Sequence, residues 1–322
     1  MSRRSKPVAA SHPTTVQLTP SYLADRLAGE LAEVTGHRWH HQRTRLAGGG
    51  LSSASLIDWR VLPLRNPGGD PDRTDPGGPG PADFAFTPWL EHLPYLRGIL
   101  GAIPAPLHAV RLMALGPGAV SAPHRDPKYA LNRGFVRLHI PITTQPGAVL
   151  VIDGEDHRWQ PGELWYGDFS REHLVRNTGD TTRIHAVIDA LLTRELVTLF
   201  PARCHVMLLA DDVLLNRRTF SGSIHRQTSS TQLDLPSGFT DFDHDDALGG
   251  PVQPAQLDAG PERATLAVAG RRFALVEVAA QEYRFAGWSE QRTIQLTVAG
   301  PLLHSRLGRD HQQRRLTAAD CR

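Results

Sequence analysis

The 322-residue sequence is poor in cysteine and has no long apolar run. Its two cysteines, Cys204 and Cys321, are too few for a disulfide framework, and their spacing excludes a CxxC site, so we expect a reducing cytoplasm. No stretch approaches the roughly 18 apolar residues that a transmembrane helix needs. Residues 1–15 include basic side chains but lack the apolar segment of a secretory signal. We therefore expect a cytoplasmic protein without a membrane partner.

The sequence also lacks an excess of charge of one sign, because 35 basic residues oppose 33 acidic ones and leave a net charge of +2. Nucleic-acid-binding proteins usually carry a basic stripe, whereas arginine is here mixed with aspartate and glutamate along the whole chain. We expect no nucleic-acid partner. Walker, Rossmann and GxSxG motifs are absent as well, which argues against nucleotide-dependent and serine-hydrolase chemistry.

What is abundant is glycine and proline, with 29 and 25 residues, and this abundance predicts many turns. Residues 1–17 are expected to be a disordered tail. Residues 18–34 predict a helix with Thr19 as its N-cap, because leucines then recur at helical spacing. Residues 66–81 are expected to form an exposed, flexible loop, and residues 86–103 a short helix or two.

From residue 107 the pattern changes to short runs of β-branched and aromatic residues separated by glycine, proline, asparagine or aspartate. This pattern predicts an all-β barrel or jelly roll over about 107–192, within a domain of residues 18–194. Residues 195–322 predict a smaller C-terminal α+β module with strands at 264–281 and 291–300. Its last twenty residues are expected to be a helix end or a frayed tail.

The chemistry-bearing residues fall between 121 and 189. On an extended strand His124 and Asp126 point to the same face, and a hairpin-rich barrel can bring His173 to that face. Two histidines and one carboxylate on one side of a metal leave the other side open, as in non-haem Fe(II) oxygenases. The alternative is that both histidines are hydrogen-bonded to backbone at the mouth of the barrel.

Arg183 follows His173 by ten residues that include the turn at 177–180, so we expect these two side chains on neighbouring antiparallel strands. A guanidinium donates two parallel hydrogen bonds to a carboxylate. A co-substrate with a carboxylate at each end would chelate the metal with one end and bind Arg183 with the other, and 2-oxoglutarate has that shape. The alternative is an ion pair between Arg183 and a surface acid.

This segment resembles the aspartyl/asparaginyl β-hydroxylase family, which contains Fe(II)- and 2-oxoglutarate-dependent dioxygenases with a double-stranded β-helix (jelly-roll, cupin-like) core. The resemblance spans about residues 107–192. The motifs that carry it are Pro123-His124, RLHIP at 137–141, Asp168-x-Ser170-x-x-His173, and Arg183.

The resemblance implies that His124 and His173 bind iron and that Arg183 holds the distal carboxylate of 2-oxoglutarate. It implies that Arg137 and His139 contact the metal-side carboxylate of that co-substrate, although an ion pair and a packed histidine are the plainer alternatives. Some members lack the carboxylate ligand. This sequence retains Asp126, so we predict a full facial triad.

One position departs from the family pattern, because Met113 stands where animal members have a serine near the far end of the co-substrate. Arg183 is therefore expected to act alone or with a different helper. An acidic run at 241–246 resembles the start of a calcium loop but lacks its glycine and its final glutamate, and is expected to be a solvated loop.

The fold class that we predict is mainly β with flanking helices, with a jelly-roll core and a smaller C-terminal strand-containing module. The predicted function is an Fe(II)- and 2-oxoglutarate-dependent hydroxylase that also consumes O2. Its expected substrate is Asp or Asn in a peptide or on a carrier. A free amino-acid hydroxylase resembling proline hydroxylases and a non-catalytic cupin-type sensor of a metal or small acid stay open. The C-terminal module is expected to bind substrate or to form a homodimer.

Overall fold

The computed structural model describes residues 12–44, 51–218, 229–260 and 263–316. Residues 1–11 of the expected tail and Cys321 lie outside the described residues. Three antiparallel sheets dominate the chain, and no helix of the described part is long and apolar enough to cross a membrane. The prediction of a mainly β fold with flanking helices is confirmed.

The first two sheets form the jelly roll. The large sheet has the order β1-β9-β6-β11-β5-β3-β2, with β4 beside β3, and the small sheet has the order β10-β7-β8. With strands numbered along the chain, the bounds are β1 Thr15–Ser21, β2 His40–His41, β3 Trp59–Pro67, β4 Phe84–Phe86, β5 Leu107–Leu115, β6 Phe135–Thr143, β7 Ala148–Ile152, β8 Glu155–His157, β9 Glu163–Gly167, β10 His173–Asn177 and β11 Arg183–Leu191.

The C-terminal sheet is a meander in which each of eight strands pairs with the next. Its strands are β12 Ser229–Pro236, β13 Val252–Ala259, β14 Ala264–Val268, β15 Arg271–Ala279, β16 Glu282–Phe285, β17 Arg292–Gln295, β18 Leu302–Leu307 and β19 Asp310–Arg315. The expected helix end or frayed tail is therefore wrong for the last two strands, which pair with each other over their full length.

Helices flank the jelly roll, and the longest of them contacts the interior strand β6. They are α1 Ala24–Thr35, α2 Pro94–Ala102, α3 Arg194–Val197 and α4 Ala202–Leu208, with 3-10 turns at Pro88–His92, Pro127–Tyr129, Leu131–Arg133 and Ser237–Thr240. The predicted helices over 86–103 are confirmed. The buried side chains of α3 and α4 belong to the same apolar cluster as the jelly-roll strands. The predicted boundary at residue 194 stays a prediction.

The start of the first helix was wrong, because residues 15–21 form a strand and α1 begins at Ala24. Val16 and Leu18 are both buried, a spacing of two that suits a strand pairing with β9. This strand lies at the edge of its sheet, where the missing N–H of Pro20 is tolerated. The same strand replaces part of the expected disordered tail.

The loop at 66–81 is less exposed than predicted. Thr74 and Asp75 are buried, and the Asp75 carboxylate accepts hydrogen bonds from Arg73 and from the backbone N–H of Gly77. The carbonyl of Gly80 accepts from the backbone N–H of Ala274 at 2.7 Å. The glycines and prolines therefore build an ordered turn that joins the jelly roll to the C-terminal sheet.

The jelly roll and the C-terminal sheet also share an apolar cluster. Phe135, Leu191 and Phe169 of the jelly roll pack in one cluster with Phe273, Phe285 and Trp288 of the meander. Burial of each such side chain contributes on the order of 2 kcal/mol. The position of the C-terminal sheet against the jelly roll is therefore fixed by packing as well as by hydrogen bonds.

A pair of glycine substitutions tests this junction. Gly287 has φ of +81°, and a Cβ there would lie 2.6 Å from the carbonyl oxygen of Gly78. Gly154 has φ of +83° with nothing within 4 Å of a Cβ. Gly154→Ala should cost about 1–2 kcal/mol from backbone conformation alone. Gly287→Ala should lower the free energy of unfolding by about 1–3 kcal/mol more, because it adds a steric clash. Equal losses in urea denaturation would contradict the packing of these two loops.

Candidate metal centre

Three metal-ligating side chains meet at one end of the jelly roll. One donor atom from each of His124, Asp126 and His173 lies within 4.8 Å of the other two. The two histidines face each other across a backbone bridge, with mutual N–H to carbonyl hydrogen bonds of 3.0 and 2.9 Å. Asp126 lies where the chain turns into the 3-10 segment Pro127–Tyr129, and its N–H donates to the carbonyl of Phe169. The geometry therefore joins three residues that span 49 positions of the sequence, from His124 to His173.

Hydrogen bonds orient both imidazoles. Nδ1 of His124 lies 2.9 Å from the carbonyl oxygen of Ala122, and Nδ1 of His173 lies 2.9 Å from that of Arg171. An Nδ1–H that donates to a carbonyl leaves Nε2 with a free lone pair, which is the common arrangement of metal-bound histidine. Burial lowers the pKa of His173 to about 4, so its ring is neutral and available as a ligand near pH 7. The donor set and its surroundings suit a divalent transition metal.

A cavity of about 890 Å³ contains this cluster and extends to Arg183. The residue is 5% exposed, and no carboxylate of the described residues pairs with it. Nη2 of Arg183 donates to Nδ1 of His185 at 2.9 Å, and burial lowers the pKa of the guanidinium to about 9. A buried cation without an anion is costly, so a carboxylate bound in the cavity would offset that cost.

The expected placement of Arg183 beside His173 was wrong in its topology. His173 begins β10 in the small sheet, whereas Arg183 begins β11 in the large sheet, between β5 and β6. The turn at 177–180 therefore carries the chain from one sheet to the other. As a result, His173 of the small sheet and the guanidinium of Arg183 on the large sheet border the same cavity.

His185 is a site residue that the sequence analysis did not assign. It lies opposite Met113 in the register of β11 and β5, which is the position where the family pattern departs. Burial lowers the pKa of His185, and the charge of Arg183 lowers it further, so the ring is neutral and accepts from the guanidinium. His185 is therefore the neighbour that orients Arg183 in place of a serine.

His139 lies on the same wall, with its ring stacked on that of Phe169 at 5.0 Å between centroids. Burial lowers its pKa well below the usual value, and the charges of Arg183 and Arg137 add to that effect. Within the described part of the chain, Nε2 of His139 has no hydrogen-bond partner. A neutral imidazole whose Nε2 is free at the cavity, while Nδ1 contacts Nδ1 of His185 at 3.4 Å, suits a polar group of a bound ligand.

Arg137 is engaged by carboxylates on both sides. Its Nη1 donates to Asp126 at 2.7 Å, and its Nε donates to Asp189 at 2.7 Å. The guanidinium also lies over the ring of Tyr129, 3.9 Å from the centroid. Arg137 therefore positions the carboxylate of the metal cluster. Its predicted contact with the co-substrate stays a prediction.

Asp189 is the second residue that the sequence analysis missed. It is 1% exposed and accepts hydrogen bonds from Arg137, from Tyr129 at 2.7 Å and, more weakly, from Arg111 at 3.4 Å. Burial alone would raise the pKa of Asp189, but the charges of Arg137 and Arg111 outweigh burial and hold that pKa below its usual value. A spacing of two along β11 could have revealed it, since Arg183, His185 and Asp189 share one face.

Loops and the C-terminal sheet complete the lining of the cavity. The loop at 76–79 and the segment 125–129 border it, and so do residues of the C-terminal sheet and its turns: Ser237, Thr240, Asp241, Phe242, Asp243, His244, Gln253, Ala269, Arg271 and Trp288. The expectation of a solvated acidic loop at 241–246 is therefore incomplete, because part of that loop faces the cavity.

Known proteins resemble this chain as follows. The family model described as aspartyl/asparaginyl beta-hydroxylase matches residues 24–192, more than half of the chain. No curated protein sequence matches significantly.

Several solved structures match at low similarity. A 2OG-Fe(II) oxygenase family oxidoreductase from Burkholderia pseudomallei is 15% identical, covers 55% of this chain and 85% of its own, and gives a TM-score of 0.37. A Trichoplax adhaerens prolyl hydroxylase, in complex with a hypoxia inducible factor peptide fragment, is 11% identical, covers 57% of this chain and 86% of its own, and gives a TM-score of 0.37. A Pseudomonas putida prolyl-4-hydroxylase is 16% identical, covers 55% of this chain and 91% of its own, and gives a TM-score of 0.32.

The network around Asp189 yields a stability prediction. Asp189→Asn leaves Arg111 and Arg137 buried with too little negative charge, which should lower the free energy of unfolding by about 3–5 kcal/mol. Tyr129→Phe removes a single hydrogen bond to the same carboxylate and should cost about 1–3 kcal/mol. Chemical denaturation of both variants measures the difference. A loss for Asp189→Asn no larger than that for Tyr129→Phe would show that the carboxylate does not hold the two arginines.

Proposed function

Because this chain belongs to the aspartyl/asparaginyl β-hydroxylase family, we propose that it hydroxylates an amino-acid side chain with Fe(II), 2-oxoglutarate and O2. One observation carries the proposal beyond family membership. The His-Asp-His cluster and the buried Arg183, which pairs with no carboxylate in the part of the chain that the structure describes, border the same cavity. A metal and a distal carboxylate would therefore be held at the two ends of one small molecule.

In this proposal His124, Asp126 and His173 hold the iron, and the open side of the cluster faces the cavity. Iron bound there supplies the oxidative chemistry with 2-oxoglutarate and O2. The chain contributes position and charge: the Ala122 and Arg171 carbonyls fix the two imidazoles, and Arg137 fixes the carboxylate.

Arg183 binds the distal carboxylate of 2-oxoglutarate. His185 accepts one of its N–H groups and so fixes the plane of the guanidinium, which leaves the remaining donors for the co-substrate. His139, neutral and unpartnered at Nε2, lies on the wall between Arg183 and Arg137 and suits a contact with the oxygen atoms of the metal-side end.

For the substrate we propose β-hydroxylation of Asp or Asn in a peptide or on a carrier. The volume of the cavity supports a second molecule beside the co-substrate, since about 300–1,000 Å³ suffices for a drug-sized ligand. A free amino-acid hydroxylase that resembles proline hydroxylases is the second candidate, and the enclosing wall from the C-terminal sheet favours it. A cytoplasmic location and a homodimer stay predictions.

A spectroscopic experiment tests the site. Metal-free protein that receives Fe(II) and 2-oxoglutarate under anaerobic conditions should develop the visible charge-transfer band of a chelated Fe(II)–2-oxo-acid complex. His124→Ala should lose the band, because it removes one of three ligands, and His92→Ala, an exposed histidine outside the cavity, should keep it. A folded wild-type protein that binds iron without this band would contradict the proposed co-substrate.

The same samples separate an enzyme from a sensor. On exposure to air, an oxygenase converts part of its 2-oxoglutarate to succinate even without the prime substrate. A sensor forms no succinate, and that result would favour the non-catalytic alternative.

A second test concerns Arg183. Arg183→Ala should weaken 2-oxoglutarate binding about 10- to 100-fold, because it removes charge-assisted hydrogen bonds from a buried site. Iron affinity should be unchanged. Arg176→Ala, which alters an arginine on β10 that pairs with Asp156, is the matched control and should bind 2-oxoglutarate as the wild type does. Unchanged 2-oxoglutarate affinity in Arg183→Ala would remove Arg183 from the site.

A further inference from the structure

The C-terminal sheet presents a rigid segment to the cavity. This segment, residues 237–244, consists of a 3-10 turn and the acidic stretch after it, and six of its residues line the cavity. Arg292 is fully buried beneath it and donates hydrogen bonds to four of its carbonyls, those of Gly238, Phe239, Asp241 and His244. A planar guanidinium that donates to several carbonyls holds them in one arrangement and so fixes the segment.

Acidic side chains in this segment and directly after it stabilise the positive charge of the Arg292 guanidinium. Burial lowers the pKa of Arg292 to about 10, and the negative charges of Asp241, Asp245 and Asp243 oppose that effect. Asp241 in addition accepts from Nδ1 of His244 at 2.9 Å. The acidic run is therefore explained by a charge inside the C-terminal sheet, and it does not require a cation in the cavity.

A second element of the same wall is the tight turn between β14 and β15. Ala269 and Gly270 have φ of 49° and 73°, the pattern of a two-residue hairpin turn. Alanine is uncommon at such a position and costs about 1–2 kcal/mol relative to a relaxed backbone. The turn places Ala269 and Arg271 on the cavity, whereas Arg272 falls on the opposite face of the strand.

Arg271 has no carboxylate partner among the residues that the structure describes. Its guanidinium lies over the ring of Phe273, 4.8 Å from the centroid. Arg125, beside the metal cluster, borders the same cavity and also pairs with no carboxylate of the described ranges. Arg125 and Arg271 thus border the cavity from two different sides, and no carboxylate of the described residues neutralises either of them.

The side chains that line the cavity carry more positive than negative charge. Among the residues that the structure describes, its lining contains seven cationic side chains, Arg111, Arg125, Lys128, Arg133, Arg137, Arg183 and Arg271, and three carboxylates, Asp126, Asp241 and Asp243. Asp189 and Asp245 add two negative charges from behind the lining, and the buried Arg292 adds one positive charge, so an excess of positive charge remains. Fe(II) and 2-oxoglutarate carry opposite formal charges of equal size, so the excess persists when both are bound. A cleft with such an excess attracts anions.

We propose that residues 237–244 and 269–271 form the substrate-recognition wall of this enzyme and that Arg271 binds an anionic group, a carboxylate or a phosphate, of the substrate. The inference rests on the proposed function, because it assigns the prime substrate to the outer part of that cavity. Arg292 acts as a positioning residue for the wall. The family model ends at residue 192, so this role belongs to a part of the chain that the model does not cover.

Calorimetry on the protein loaded anaerobically with Fe(II) and saturating 2-oxoglutarate tests the proposal. The probes are N-acetyl-L-aspartate for a carboxylate, O-phospho-L-serine for a phosphate, and the neutral N-acetyl-L-alanine amide. Saturation with 2-oxoglutarate blocks Arg183, so binding of a probe reports on the outer cavity. Wild type should bind at least one anionic probe more tightly than the neutral one, and the preferred probe distinguishes the two anion types.

The deciding comparison is between two adjacent arginines. Arg271→Gln should weaken binding of the anionic probe at least about tenfold, because a charge-assisted hydrogen bond is lost. Arg272→Gln removes the same charge from the outer face of the same strand and should leave the affinity unchanged. Equal affinities in wild type and Arg271→Gln would overturn the proposal, and so would wild-type protein that binds neither anionic probe.

The two levels of inference fail separately. If wild-type protein shows no charge-transfer band, the metal and co-substrate site itself is contradicted. A normal band in Arg271→Gln, together with an unchanged anion affinity, would leave that site intact and remove only the recognition wall.

Discussion

The buried carboxylate of Asp189 is the interaction on which the site depends. It neutralises Arg137 and Arg111 where water is excluded, and Arg137 in turn holds Asp126 in the metal cluster. Without this carboxylate two guanidinium groups would be buried with only Asp126 opposing their charge, which is costly. Tyr129 completes the arrangement from the segment that follows Asp126. The residue that tunes the metal end of the cavity is thus neither a ligand nor part of a recognisable motif.

The C-terminal sheet is an integral part of this centre. Its aromatic side chains share a core with the jelly roll, and Ser289 donates a hydrogen bond of 2.5 Å to the carbonyl of Arg133. Arg133 pairs in turn with Asp245 at 2.9 Å. These contacts hold the segment 127–134, which directly follows Asp126. The meander therefore supports the metal end of the cavity and closes its outer end with the same set of side chains.

Much of the fold could be predicted from the sequence, because local patterns decide it. The β-rich texture after residue 107 and the apolar spacing of α1 depend on neighbouring residues, and both led to correct elements. The start of α1 was predicted wrongly. Thr19 and Pro20 suit the start of a helix, but they suit an edge strand such as β1 equally well, because the missing N–H of proline is tolerated there. The loop at 66–81 was misjudged because its composition is that of a flexible segment, while its order depends on Asp75 and on distant partners in the C-terminal sheet.

The candidate site likewise contains residues that the sequence predicts and residues that it does not. His124, Asp126, His173 and Arg183 could be proposed from the sequence because metal and carboxylate chemistry require particular residue types at particular spacings. Asp189, His185 and Arg292 could not, because each acts through another residue and acquires its role only when strands from different parts of the chain pair. Sequence identifies groups that bind ligands more readily than it identifies groups that hold those ligands in place.

The backbone bridge between His124 and His173 links metal geometry to strand register. The bridges Val120–Arg176 and His124–His173 enclose four residue steps on one side and three on the other, so the segment 120–124 carries one residue more than its partner, as a β-bulge does. A change in the length of this segment would shift the pairing and with it the direction of the His124 side chain. The position of one metal-ligating imidazole therefore restricts the length of the chain at this point.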